Sequence, residues 1–161
     1  MTQGFTVTGD GFIRMQAVLR DMRGRISQAA TLDVGWDDRA KYPDGTFVAD
    51  VARYQEFGTR TIPARPFVRP AVMRYQEEWR SYFQSQLEGT NQPLDVILER
   101  LGLVIAGDIQ KSIVAVTTPP LAPSTLRQRL KRGYSNLATA SKPLVDTGLM
   151  LRSVRSKVTM A

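Results

Sequence analysis

Residues 66–89 read PFVRPAVMRYQEEWRSYFQSQLEG, and residues 93–113 read PLDVILERLGLVIAGDIQKSI. In the first stretch Phe67/Val68, Ala71/Val72, Tyr75, Trp79, Tyr82/Phe83 and Leu87 recur at spacings of three and four, which predicts one face of a long helix. Pro66 and Pro70 fall in its first turns, where proline costs least, and Gly89 ends it. In the second, Pro93 occupies the favoured first helical position. Leu94, Ile97, Leu98, Leu101, Val104/Ile105, Ile109 and Ile113 form the stripe. Gly102 and Gly107 lie inside this helix at ~1 kcal/mol each against alanine, which points to close packing there. The aromatics of the first helix share one face, the pattern of a core. Base-stacking platforms sit instead on sheets and loops with interleaved basic residues.

Outward from these helices the pattern changes. Gly4 to Thr8 alternates as a short strand. Residues 12–29 read as a helix capped by Asp10, with Ile13, Met15, Val18, Leu19, Met22 and Ile26 on one side and Arg14, Arg20, Arg23 and Arg25 on the other. Thr31 to Trp36 alternates as a strand with Leu32, Val34 and Trp36 on one face. Residues 37–46 form an exposed loop around Pro43-Asp44-Gly45, a turn signature. A short helix fits Phe47–Phe57, with Gly58 as its left-handed terminator. Residues 59–66 form a loop with prolines at 63 and 66. Beyond a proline-rich loop, Ser124 caps a basic helix over 124–132 stopped by Gly133, and Asp146 caps a short helix over 147–153. Ser153–Met160 alternates as an edge-like strand. These elements predict an α+β fold, a small mixed or antiparallel sheet packed against two or three amphipathic helices. A length of 161 residues predicts a single domain, 1–161.

Composition removes most catalytic chemistry. The chain has no cysteine and no histidine. Disulfides, thiol catalysis, histidine-based triads and Cys/His metal sites are therefore excluded. Asp37-Asp38 and Glu77-Glu78 are adjacent in sequence and do not share a face. Asp33, Asp37 and Asp44 lack the spacing of a calcium loop. No phosphate-binding glycine loop occurs. No enzymatic activity, catalytic residue, cofactor or metal is expected. The longest apolar runs fall short of ~18 residues, so no membrane span is expected, and the N-terminus lacks the pattern of a secretory signal. The net charge of +7 is unevenly placed. Residues 110–161 hold nine Lys/Arg against the single acid Asp146, while the remainder is close to neutral. Such a basic third attracts polyanions: nucleic acid through its phosphates, or an acidic protein surface. It also serves plain solubility. Arg127, Arg129, Lys131 and Arg132 lie together on the short basic helix, with Arg152, Arg155 and Lys157 beyond it.

Three segments together resemble a family of phage morphogenesis proteins. They are Glu56-Phe57-Gly58-Thr59 with Ile62-Pro63-Ala64-Arg65-Pro66-Phe67-Val68-Arg69-Pro70-Ala71, then Ala122-Pro123-Ser124-Thr125-Leu126, and Lys142-Pro143-Leu144-Val145-Asp146-Thr147-Gly148-Leu149-Met150 continuing to Ser153-Val154. The family is that of tail-completion and head–tail joining proteins of tailed bacteriophages, the lambda minor tail protein Z type and related virion morphogenesis proteins. In some relatives the segment like 143–148 precedes the one like 56–67; here it follows. The resemblance implies a non-enzymatic virion component, assembled in the host cytoplasm. It would form a ring, six-fold or twelve-fold, in the neck around the genomic double-stranded DNA. Its neighbours would be other neck, tail-terminator, tail-tube or sheath proteins. Glu56, Phe57, Gly58, Arg65, Phe67, Asp146 and Gly148 are candidates for subunit or partner contact or for fold maintenance, with Arg65 paired to Glu56 or to a neighbouring subunit. Arg127, Arg129, Lys131, Arg132, Arg152, Arg155 and Lys157 are candidates to face the DNA lumen or an acidic partner. The alternative is a stand-alone nucleic-acid-binding protein without sequence preference, acting in packaging or regulation.

Overall fold

The computed structural model describes residues 6–7, 13–17, 30–90, 92–134 and 137–160. Among the described residues four strands form one antiparallel sheet in chain order: β1 (Thr6–Val7), β2 (Ile13–Ala17), β3 (Ala30–Gly35) and β4 (Arg155–Met160). The first and last strands are thus its two edges. Six helices intervene: α1 (Val48–Phe57), α2 (Val68–Gly89), α3 (Leu94–Ala115), α4 (Pro123–Lys131), α5 (Leu137–Ala140) and α6 (Leu149–Arg152). The fold is α+β, as its apolar periodicities predict.

The core lies between one face of the sheet and the α2–α3 hairpin. Leu32 and Val34 point into it from β3 and Trp36 from just beyond it, and Phe67, Val68, Ala71, Val72 and Trp79 from α2 and its entry. Leu98, Leu101, Ile105, Ile109 and Ile113 point into it from α3. Trp36 and Phe67 meet edge to face with ring centroids 5.7 Å apart. Both buried indoles are satisfied: Trp36 Nε1 donates to the Met150 carbonyl at 2.7 Å and Trp79 Nε1 to Asp108 Oδ2 at 2.8 Å. An unsatisfied buried donor would cost ~1–3 kcal/mol, so these bonds also fix which way the rings point.

Gly102 is explained by close packing. A Cβ there would lie 2.5 Å from the Ser156 Cβ and 3.0 Å from Leu32 Cδ1, so the glycine lets α3 press onto β3 and β4. Gly107 is not explained in this way: a Cβ there meets nothing within 4 Å.

Four local expectations are corrected. Residues 13–17, expected in a helix over 12–29, are strand β2, paired along β3 from Ile13↔Val34 to Ala17↔Ala30. Ile13, Met15 and Ala17 are also two apart, the strand period, and pairing with β3 decides between the two periods. Residues 18–29, and Asp10 as a cap, lie outside the described residues. Pro93 is the residue before α3 rather than its first, with an extended ψ of 151°. Ser124 caps nothing: α4 begins at Pro123, whose missing N–H is no loss there. Asp146 does not cap the last helix either, which begins after Gly148 in the left-handed conformation.

Candidate functional site

The first family-like segment folds into a hairpin of loop against helix. Gly58, at φ 75°, turns the chain at the end of α1, and its N–H bonds to the Tyr54 carbonyl. Any Cβ there would sit 2.9 Å from the Ala64 backbone nitrogen and carry a strained φ. The Thr59 hydroxyl accepts from the Thr61 and Ile62 amides, and the Arg65 amide returns to the Gln55 carbonyl at 2.6 Å. This brings the entry of α2 under Glu56. The carboxylate is 2% exposed. It accepts the amides of Phe67 at 2.7 Å, Val68 at 2.9 Å and Arg69 at 3.1 Å, and Arg69 Nε at 2.9 Å. Those amides are the orphan donors of a helix start, where the macrodipole favours an anion.

Arg65 therefore does not pair with Glu56; Arg69 does. Arg65, 6% exposed, donates from Nε to the Pro119 carbonyl at 2.7 Å and from Nη2 to the Pro120 carbonyl at 2.9 Å. Its Nη1 reaches Gln55 Oε1 at 3.3 Å. It clamps the proline-rich loop, whose Thr118–Pro119 peptide is cis, onto α1. Burial, and then the charge of Arg129, pull this guanidinium below its ordinary range.

The third segment closes around Arg129, which follows the second segment on α4. Although it stands in the basic run of α4, Arg129 is only 4% exposed. Its Nη1 donates to the carbonyls of Ala140, Lys142 and Val145, and Nη2 to that of Pro143, at 2.6–3.3 Å. Its Nε lies 3.5 Å from Asp146 Oδ1. Asp146 also receives Arg132 Nη2 at 2.9 Å and the Tyr134 hydroxyl at 2.7 Å. Burial pushes the Asp146 carboxyl up, but the bonds from Tyr134 and Arg132 and the charges of Arg129 and Arg132 outweigh it and hold the carboxyl below its ordinary value. Burial, followed by the charges of Asp146 and Asp44, raises the Tyr42 hydroxyl above its ordinary value.

The candidate residues thus divide by place. Glu56, Arg65, Phe67 and Arg129 are buried inside the subunit, and Asp146 is half-buried among arginines. Phe57 is exposed beneath Arg69. Arg127, Lys131, Arg132, Arg152, Arg155 and Lys157 are exposed. On β4 the exposed side chains alternate as Arg155, Lys157 and Thr159, and Ser156 faces α3. Charge runs alone conceal the interior role of Arg129. The signal that could have found it is its i+3 relation to Leu126 on the apolar side of α4. Among the described residues no group of three acids could hold a metal ion, and no helix is long and apolar enough to cross a membrane. The chain matches no family model, no curated protein and no solved structure.

Proposed function

We propose that this chain is a non-enzymatic virion protein of a tailed phage. It forms a ring in the neck that completes the tail, or joins it to the head, around the DNA channel. One observation carries the reading. The polar residues of the phage-like segments are spent inside the subunit: Glu56 accepts the first amides of α2, Arg65 holds the 119 and 120 carbonyls, and the third segment gives its carbonyls to buried Arg129, just beyond the second. A motif whose polar residues are consumed in holding loops suits a scaffold better than a catalytic site. With Arg129 internal, Arg127, Lys131, Arg155 and Lys157 remain as exposed cations to meet phosphates or an acidic neighbour without reading sequence.

Light scattering of the purified chain, with and without duplex DNA, tests the proposal. The expectation is a symmetric oligomer that needs no DNA to form and binds it only weakly, with a salt-dependent affinity. A monomer that binds DNA tightly with a steep salt slope would overturn it in favour of a stand-alone nucleic-acid-binding protein.

A further inference from the structure

Two patches of exposed apolar side chains lie on different helices. The first is on α1 and its entry. Phe47, Tyr54 and Phe57 are seven and three residues apart, hence on one stripe, and all three are exposed. Each ring carries a cation: Lys41 Nζ at 4.4 Å from the Phe47 centroid, the Arg53 guanidinium at 5.3 Å from Tyr54, and that of Arg69 at 5.2 Å from Phe57. Arg53 is also 3.5 Å from Asp50, and exposed Arg60 follows just beyond the helix. Aromatics held by cations are already ordered, so covering them costs little side-chain entropy. Tyr, Phe and Arg are also residue types enriched in protein interfaces.

The second patch is the outer face of α3. Leu103 is 71% exposed and Val104 is exposed beside it. Val96 and Gly107, both half-buried, lie along the same side; beyond them Gln110 bonds to the Leu151 carbonyl at 3.0 Å, so the open part of this face is its N-terminal half. The inner face of α3 is already buried against α2 and the sheet, so the helix is apolar on both sides. A helix of that kind ordinarily has both sides covered. Gly107, where a Cβ would meet nothing within 4 Å, opens a gap in this face beside Leu103. One flank carries Asp95 and Glu99, both exposed and in no ion pair among the described residues; Arg100 lies on the other.

We infer that the aromatic patch of α1 in one copy docks on the outer face of α3 in a second copy, with an α1 ring over Gly107 and Arg53 and Arg60 facing Asp95 and Glu99. The inference rests on the self-assembly proposed above and names its contact. The two patches complement each other in charge: rings rimmed by cations against an aliphatic face flanked on one side by acids. Because the patches differ, the contact is head-to-tail. Each copy uses both, and repetition closes a ring when the rotation allows.

Leu103→Asp removes one half of the contact and Phe57→Asp the other. Both side chains are exposed, so circular dichroism should show folded chains. Each variant alone should stay at 18.0 kDa by light scattering, with association weakened at least tenfold. Mixed one to one, they should form a species of twice that mass and nothing larger, because one intact junction remains. The chain has no cysteine, so Phe57→Cys mixed with Leu103→Cys should also cross-link on oxidation, well above either variant alone. Oligomers of wild-type size in either aspartate variant would overturn this contact and leave self-assembly standing. A wild-type chain that is monomeric at every concentration would overturn both. Loss of oligo(dT) binding by Phe57→Asp with unchanged oligomers would make the aromatic patch a stacking surface and overturn the docking.

Discussion

Removing the Glu56 carboxylate should be among the most damaging single changes outside the apolar core. Glu56→Ala deletes the acceptor of four hydrogen bonds, three of them from the amides that begin α2. A bond to a charged group contributes ~1.5–3 kcal/mol, but these share one carboxylate and do not add. A buried donor left without its acceptor costs about 1–3 kcal/mol, and three amides lose theirs together, set against ~5–15 for a whole domain. The share of Arg69 is small. Its side chain is half exposed, so the ion pair is worth at most ~1 kcal/mol, and its stacking on Phe57 ~0.5–1. Arg69→Ala should therefore cost about 1–2 kcal/mol and Glu56→Ala about 3–4. Glu56→Gln should fall between, because its amide keeps one acceptor oxygen and turns an NH₂ toward the other donors. Urea unfolding at constant m-value measures all three. If Glu56→Ala lies within ~1 kcal/mol of wild type, the carboxylate does not organise the helix start. If Arg69→Ala costs as much as Glu56→Ala, the ion pair rather than the amide cage carries the energy.

Arg129→Lys should destabilise by ~2–4 kcal/mol, since one ammonium cannot serve the four carbonyls of 140–145 that the guanidinium reaches; a change under ~0.5 kcal/mol would refute the loop-clamp role. Trp79→Ala should cost ~3–5 kcal/mol and give insoluble or unfolded protein, whereas a soluble, fully folded variant that loses only DNA affinity would restore the stacking reading. Asp146 has a lowered folded pKa, so its stabilisation is complete above the ordinary carboxylate range near ~4 and fades as pH falls through the lowered folded value. Thermal unfolding of Asp146→Asn across that acid range should show a smaller pH dependence than wild type; an identical slope would contradict it. Gly102→Ala should destabilise through contact with Ser156, whereas Gly107→Ala should stabilise the isolated chain by up to ~1 kcal/mol; equal effects would deny that the two glycines differ.

What the sequence makes legible follows its periodicities. α2 and α3 are long enough for the 3.6-residue stripe to repeat several times, and the chain through β3 alternates over Leu32, Val34 and Trp36, so both kinds of element stand out. Gly58 and Gly133, at φ 75° and 93°, mark helix ends by their backbone freedom, and Gly89 is the last helical residue of α2. Residues 13–17 misread because Ile13 and Met15 fit both a helix and a strand, and only pairing with β3 decides. The helix starts at 123 and 149 misread because serine and aspartate are common caps, while here a proline and a left-handed glycine do the work. At the candidate site, the partners of Arg65 are carbonyls 54 and 55 positions away. A carbonyl belongs to every residue, so no side-chain pattern announces such a partner. The Glu56–Arg69 pair was equally hidden, since Arg65 and Arg69 both lie within reach of a loop that can turn either way.

The buried arginines change what the basic third can mean. Its excess of charge looks like one surface in sequence, yet Arg129 points inward, Arg132 is spent on Asp146, and Arg152 bonds to the Thr147 carbonyl. The cations left to act outward sit at two separate places, Arg127 and Lys131 on α4, and Arg155 and Lys157 on the open face of β4. Lysine and arginine on an edge strand also discourage pairing with another strand, so β4 is a poor joint between copies. Under the proposed self-assembly, helix faces are then the better joint, and the dispersed cations would tolerate a polyanion. Glu56, Arg65 and Asp146, all in the phage-like segments, therefore secure the subunit, while Phe57 in the first segment is exposed and belongs to the surface proposed to meet a second copy.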